Sequence, residues 1–222
     1  IIRGWVNLAM MEVVAVSLDI DRVTALLVCF FLAAGYSLLS GLWGVVVTDF
    51  FQFGLAVGGA IVLAVFAVSA VGGVGEMEAG LIEIYGSRNA ALGVFPREGA
   101  SWMPALTFGV YLGVNWWASW YPGAEPGGGG YVAQRIFSAR TERDGILATL
   151  WFNIAHYAVR PWPWIIVALA TTLLYPGMDN PREGYVRAIM DLLPAGLTGV
   201  VLAGMAAAYM STISTQLNWG AS

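Results

Sequence analysis

Leu193-Pro-Ala-Gly-Leu-Thr-Gly-Val-Val-Leu-Ala-Gly-Met-Ala-Ala-Ala-Tyr-Met-Ser211-Thr212-Ile-Ser214-Thr215-Gln-Leu-Asn218 is an apolar stretch of membrane length whose last turns carry four hydroxyls. Spanning about 30 Å of hydrocarbon takes roughly 20 helical residues. Ser211 and Thr215 stand four positions apart, Ser211 and Ser214 three, and Ala208 lies one turn before Ser211 and Thr212. One helical face therefore collects several oxygens at one depth. Hydroxyl and carbonyl oxygens suit a hard monovalent cation. Hydroxyls inside a membrane also bond back to the carbonyl four residues earlier or link neighbouring helices, and spacing alone leaves both uses open.

Composition extends the membrane reading to the whole chain. Of 222 residues, 59% are hydrophobic and 11% charged, and the mean hydropathy is +0.73. That is too few charges to surround a soluble core of this size, so the chain belongs in a lipid bilayer as a multi-pass protein. Long apolar runs recur to the last residues, so no single run reads as a cleaved signal peptide. All ten basic residues are Arg. The absence of Lys excludes a Schiff-base lysine and a Walker-type phosphate loop, both of which need the amine. A single Cys (Cys29) and a single His (His156) leave too few ligands for zinc and rule out an internal disulfide. No nucleophile and base stand at a spacing that suggests enzyme chemistry. No cofactor and no nucleic-acid partner is expected. The chain opens on Ile-Ile-Arg and stops just after the hydroxyl cluster, which reads as a fragment of a longer protein.

The apolar runs predict one incomplete membrane domain over 1–222, with helices over about 6–18, 23–39, 45–71, 105–120 continued by 131–139 after a break, 145–174 and 195–218. Ser40-Gly-Leu-Trp-Gly44 makes a turn short enough to require antiparallel neighbours. Residues 72–103, with Glu76, Glu78, Glu83, Arg88, Arg97 and Glu98, read as a solvated loop with a short surface helix, and residues 176–191 as a second polar loop. Arg135, Arg140 and Arg143 crowd one short connection, the better cytoplasmic candidate. That places both acidic loops outside and sends the Ser211 helix toward the cytoplasm.

Three polar features interrupt the apolar spans. Asp49 lies a turn inside the third helix, where a carboxylate either faces an ion or substrate path or reaches interfacial water. Tyr121-Pro-Gly-Ala-Glu-Pro-Gly-Gly-Gly-Gly130 breaks the fourth, with Asn115, Trp116, Trp117, Trp120, Tyr121 and Glu125 gathered around it. Unwound backbone in a membrane is tolerated where it lines a cavity, and these side chains suit a small polar solute; an aromatic belt at the lipid interface would use the same residues. Arg160-Pro-Trp-Pro-Trp164 places a guanidinium before two prolines, with His156 one turn earlier. Arg160 has three candidate partners, a substrate carboxylate, Glu125 and Asp49, and a structural ion pair or snorkelling to the interface is an equal alternative. His156 fits a helix–helix hydrogen bond or a proton-coupled variant.

Gly41-Leu-Trp-Gly-Val-Val-Val-Thr48-Asp49-Phe-Phe-Gln52, Tyr131-Val-Ala-Gln134-Arg135-Ile-Phe-Ser-Ala139 and the Leu193 stretch with Ser211-Thr212, taken in this order, resemble the sodium/solute symporter family of sodium-coupled sugar, proline and sialic acid transporters. The resemblance covers nearly the whole chain. It implies an all-α polytopic transmembrane bundle, part of a leucine-transporter-type fold of two inverted five-helix repeats, here about core helices three to eight. It implies a coupling sodium held by the Ala208 carbonyl and the Ser211 and Thr212 hydroxyls, and a second sodium held by Asp49, Ser211, Ser214 and Thr215. It further implies secondary active uptake of a small organic solute in a cell membrane, with bacterial inner membrane the expected location. The break in the fourth helix is longer than in the sugar-transporting members, so the carry-over of solute ligands stops at about Asn115; Trp116, Trp117, Trp120, Tyr121, Glu125 and Arg160 are expected to face the solute from their own chemistry and position. A symporter-like sensory domain joined to a signalling module and a proton-coupled relative are the alternatives. The Trp that often precedes Thr-Asp in the family is Val47 here.

Overall fold

Uninterrupted apolar sequence in hydrocarbon must pair its backbone groups internally, and a helix does so within one segment. The computed structural model describes residues 2–18, 20–96, 99, 103–115 and 130–221; among them the chain is helical and forms no strand. Helix α1 is Ile2–Leu18 and α2 is Arg22–Ala70, begun by Asp21, whose carboxylate accepts from the Thr24 N–H at 2.9 Å. The short helices α3 (Val74–Tyr85) and α4 (Arg88–Leu92) follow. Helix α5 (Ala105–Val110) runs into a π turn at Tyr111–Asn115. Helix α6 is Gly130–Phe137. Helix α7 (Glu142–Asn153) passes through a second π turn, Ile154–Val159, into α8 (Pro161–Leu174). Helices α9 (Gly184–Leu192) and α10 (Ala195–Ala221) complete the series. Gly41–Ala70, Glu142–Leu174 and Ala195–Asn218 are long and apolar enough to cross a membrane. The chain is an all-α membrane helical bundle.

The turn expected over 40–44 is a single residue. Gly41 sits at φ 57 and ψ −170 between helical neighbours, a left-handed conformation that costs glycine nothing and other residues a good deal. The polar segment after α2 is largely helical: α3 and α4 are tied by an Arg88–Glu78 ion pair at 2.7 Å.

The chain divides into two compact units, 1–77 with 151–222, and 78–150. In the first, α2 and α10 pack most extensively. Helix association in lipid gains little from the hydrophobic effect and relies on close backbone approach at small residues. A Cβ on Gly204 would stand 3.2 Å from the Leu55 carbonyl oxygen, and one on Gly59 3.3 Å from Val201. Position 59 meets 201 and position 55 meets 204, so the two helices are antiparallel. Met10 and Val13 of α1, Val186 of α9, and Tyr209 and Ile213 of α10 form a buried cluster beside this contact. The Tyr209 hydroxyl donates to Asn7 Oδ1 at 3.0 Å and links α10 to α1.

In the second unit, α7 is capped reciprocally. The Asp144 N–H donates to Thr141 Oγ1 at 3.1 Å, and the Thr141 hydroxyl donates to Asp144 Oδ2 at 2.8 Å. Gly145 lies close under Ile136, where an added Cβ would come within 3.3 Å.

Candidate functional site

The antiparallel register sets the site. Ten residues from Gly59 back to Asp49 and ten from Val201 on to Ser211 rise equally along their axes, which brings Asp49 level with the hydroxyl-bearing end of α10. The Ser211 hydroxyl donates to Asp49 Oδ1 at 2.5 Å, and the Thr215 hydroxyl to Oδ2 at 3.4 Å. Ser214 is fully buried and donates to the Ser211 carbonyl at 3.1 Å. Thr212 donates to the Ala208 carbonyl at 3.1 Å. Thr48, next to Asp49, bonds back to Gly44 and Val45 at 2.8 and 3.1 Å. Both fates open to intramembrane hydroxyls thus occur here: Thr48 and Thr212 bond to their own helix, whereas Ser211 and Thr215 reach a carboxylate on another.

Asp49, Ala208, Ser211 and Thr212 open onto a cavity of about 620 Å³ within the first unit. Its walls are mostly apolar, from α1, α2 and α10, and Arg160, Trp164, Tyr185 and Gln52 complete them. The guanidinium carbon of Arg160 stands 4.9 Å from the centre of the Trp164 ring. The π turn prepares this placement. Pro161 and Pro163 have no N–H, and the Arg160 N–H reaches back five residues to the Ala155 carbonyl at 3.0 Å. His156 lies inside that turn, stacked on Phe152 at 5.3 Å and edge-on to Tyr157 at 4.8 Å. Outside the spans, burial pushes the Tyr185 phenol up to about 12. The Tyr175 phenol is also pushed up to about 12, by burial first and then by its 2.9 Å hydrogen bond to Asp191.

Of the residues expected at the two sodium positions, the structure gathers Asp49, Ser211 and Thr215 through direct hydrogen bonds, with Ser214 joined through the Ser211 carbonyl and the Ala208–Thr212 pair a turn away. Of the expected solute residues, Arg160 lines the cavity. Trp116, Trp117, Trp120, Tyr121 and Glu125 lie outside the described residues, as does the side chain of Asn115. Gln52, Trp164 and Tyr185 were not singled out as site residues. Gln52 follows Asp49 by three positions and shares its helical face, so spacing carried a signal for it. Nothing local marks Tyr185, which reaches the cavity from α9. Among the described residues no group of three or more His, Cys, Asp or Glu is placed to hold a metal ion.

An apolar helical bundle that gathers a carboxylate, several hydroxyls and a guanidinium around one open cavity has the character of an integral membrane domain. The chain belongs to the sodium:solute symporter family, whose model matches residues 9–222. It is 29% identical over 205 residues to the sodium/glucose cotransporter of Vibrio parahaemolyticus, covering 82% of this chain and 36% of that protein. It is 25% identical over 232 residues to human sodium/myo-inositol cotransporter 2, covering 91% of this chain and 33% of the relative. It is also 25% identical to the bovine sodium/mannose cotransporter over 217 residues, 84% of this chain and 35% of the relative. The chain spans about a third of the length of these curated relatives. No solved structure gives a significant match.

Proposed function

We propose that this chain is part of a secondary active transporter that couples inward sodium flux to uptake of a small organic solute by alternating access. The observation that carries the reading is the pairing of Asp49 with Ser211 and Thr215 at the α2–α10 contact. It gathers a negative charge and hydroxyl oxygens in apolar surroundings, where an unneutralised carboxylate is costly. Family membership, and relatives named for sodium with glucose, myo-inositol or mannose, support sodium as the coupled ion.

In this reading the Ala208 carbonyl and the Ser211 and Thr212 hydroxyls hold the first sodium. Asp49, Ser214 and Thr215, together with Ser211, hold a second. Both hydroxyl partners of Asp49 then turn their lone pairs to the ion, while the carboxylate supplies the compensating charge. Asn115, Trp116, Trp117, Trp120, Tyr121, Glu125 and Arg160 face the solute. The domain contributes about core helices three to eight of two inverted five-helix repeats, in a multi-pass protein of a bacterial inner membrane. Energy comes from the ion gradient and no cofactor takes part. Coupling requires sodium to bind one conformation better than the other; moving a population from 1:99 to 99:1 takes about a 10⁴-fold difference in affinity.

The test is a sodium titration of intrinsic Trp fluorescence in the intact purified protein, with potassium as control and Ser211→Ala and Asp49→Ala alongside. A saturable response specific to sodium, lost in Ser211→Ala and less steep in Asp49→Ala, is expected. No sodium-specific response in the unmutated protein sinks the reading.

A further inference from the structure

We infer that Asn7 and Tyr209 are positioning residues for the proposed sodium site, their hydrogen bond fixing the rotation of α10 about its own axis. This rests on the sodium-coupled reading above and deepens it. The Tyr209 hydroxyl donates to Asn7 Oδ1 at 3.0 Å, across 202 positions of sequence, and Tyr209 is 4% exposed. Met10, Val13, Val186 and Ile213 share its buried cluster. In such surroundings a phenol O–H left without an acceptor is costly, so the link persists.

The place of this link around α10 gives it a use. Ala208 to Thr215 lie within one continuous helix, in which successive residues turn by about 100°. Measured from Ala208, Ser211 and Thr215 stand about 60° and 20° to one side, and Thr212 and Tyr209 about 40° and 100° to the other. The order around the helix is therefore Ser211, Thr215, Ala208, Thr212, Tyr209. Asp49 of α2 holds one edge of this arc through Ser211 and Thr215, and Asn7 of α1 holds the opposite edge through Tyr209. Ala208 and Thr212, already joined at 3.1 Å, lie between the two clamps. Asp49, Ala208, Tyr209, Ser211 and Thr212 all line the one cavity.

Magnitudes show why one clamp is too few. A turn before Ala208, α10 meets α2 at Gly204, which offers no side chain to resist a roll. A roll of about 20° displaces an atom at the roughly 2.3 Å radius of the Cα atoms by about 0.8 Å, and a hydroxyl farther out by more. Ion sites discriminate on much less: magnesium takes oxygens at about 2.0–2.1 Å and calcium at about 2.3–2.6 Å. Losing the Asn7 clamp therefore costs the Ala208 and Thr212 oxygens both their affinity for sodium and their choice of it.

The experiment titrates the intact purified protein with sodium and with lithium, reading intrinsic Trp fluorescence, in the unmutated chain, Tyr209→Phe, Asn7→Leu and the double variant. Tyr209→Phe keeps the ring and Asn7→Leu nearly keeps the volume, and unfolding temperatures without either ion report folding. Each single variant is expected to bind sodium about threefold to tenfold more weakly. The preference for sodium over lithium shrinks in both, and the double variant is no weaker than either single one. Unchanged sodium affinity in either single variant, weaker binding with the sodium-to-lithium ratio intact, or additive losses in the double variant overturns the inference. So does an unmutated protein without preference between the two ions, or loss of folding in either single variant. Each of these leaves sodium binding standing, whereas absence of any sodium response in the unmutated protein removes the transporter reading itself.

Discussion

Asp49 lies inside an apolar helix, where insertion scales charge roughly 2.5–3.5 kcal/mol for a centrally placed carboxylate, and the two hydroxyls that offset this cost come from a helix far along the chain. Asp49→Asn keeps the size and one acceptor oxygen but removes the charge. The sodium response of this variant should retain saturation and lose steepness, as a Hill analysis of the fluorescence titration would reveal; an unchanged slope would deny Asp49 a second ion. Ser211 belongs to both proposed ion positions, so Ser211→Ala should weaken sodium more than Thr215→Ala, whose contact with Asp49 is the longer one at 3.4 Å. Outside the apolar spans, burial pushes the Tyr175 and Tyr185 phenols up to about 12, above the roughly 10 of an ordinary phenol. A phenol pKa raised by folding contributes stability that is complete below about 10 and is lost as pH rises through about 12. Tyrosinate absorbance should therefore show a late step, and Tyr175→Phe and Tyr185→Phe should each remove part of it.

The α2–α10 pair works as one element because two glycines let the backbones touch. Gly204 has backbone atoms of Leu55 and Ala56 within 3.3 Å of where its Cβ would stand, whereas Gly199, on the same helix, has open space. Gly204→Val should force the helices apart at a cost of about 1–3 kcal/mol and lower sodium affinity although no ligand oxygen is removed. Gly199→Val serves as the matched control and should leave the titration unchanged. This dependence is invisible in either helix alone: small residues recur throughout both, and only the packing shows which are in contact. The Arg160 region makes a similar point. Pro161 and Pro163 announce a broken ladder in the sequence, but that the chain repairs it with a π turn, and that Trp164 becomes the platform for Arg160, emerges only once the backbone is built.

At the scale of the whole molecule, a ligand that binds only the folded state stabilises it by mass action, about 2.7 kcal/mol per site at 100 times the dissociation constant. Sodium should accordingly raise the unfolding temperature of the intact protein in detergent and potassium should not, with the increment reduced in Asp49→Asn; equal shifts for the two ions would indicate a general salt effect. The membrane class was legible without coordinates, because long apolar runs broken by few charges have no stable place outside a bilayer and no backbone solution there except helices for a chain of this periodicity. The cluster on one face of the 195–218 helix was legible too, since three- and four-residue spacing determines which hydroxyls share a face. Family resemblance named Asp49 as a companion to that cluster, a pairing that local spacing does not encode. What the sequence by itself determined is therefore the all-helical membrane fold and the oxygen-rich end of its last helix, both consequences of solvent preference and helical period. Only the tertiary structure decided that Asp49 meets Ser211 and Thr215 and that Gln52, Arg160 and Trp164 face one cavity, because these meetings depend on antiparallel register and on a π turn, which are set by packing between distant segments.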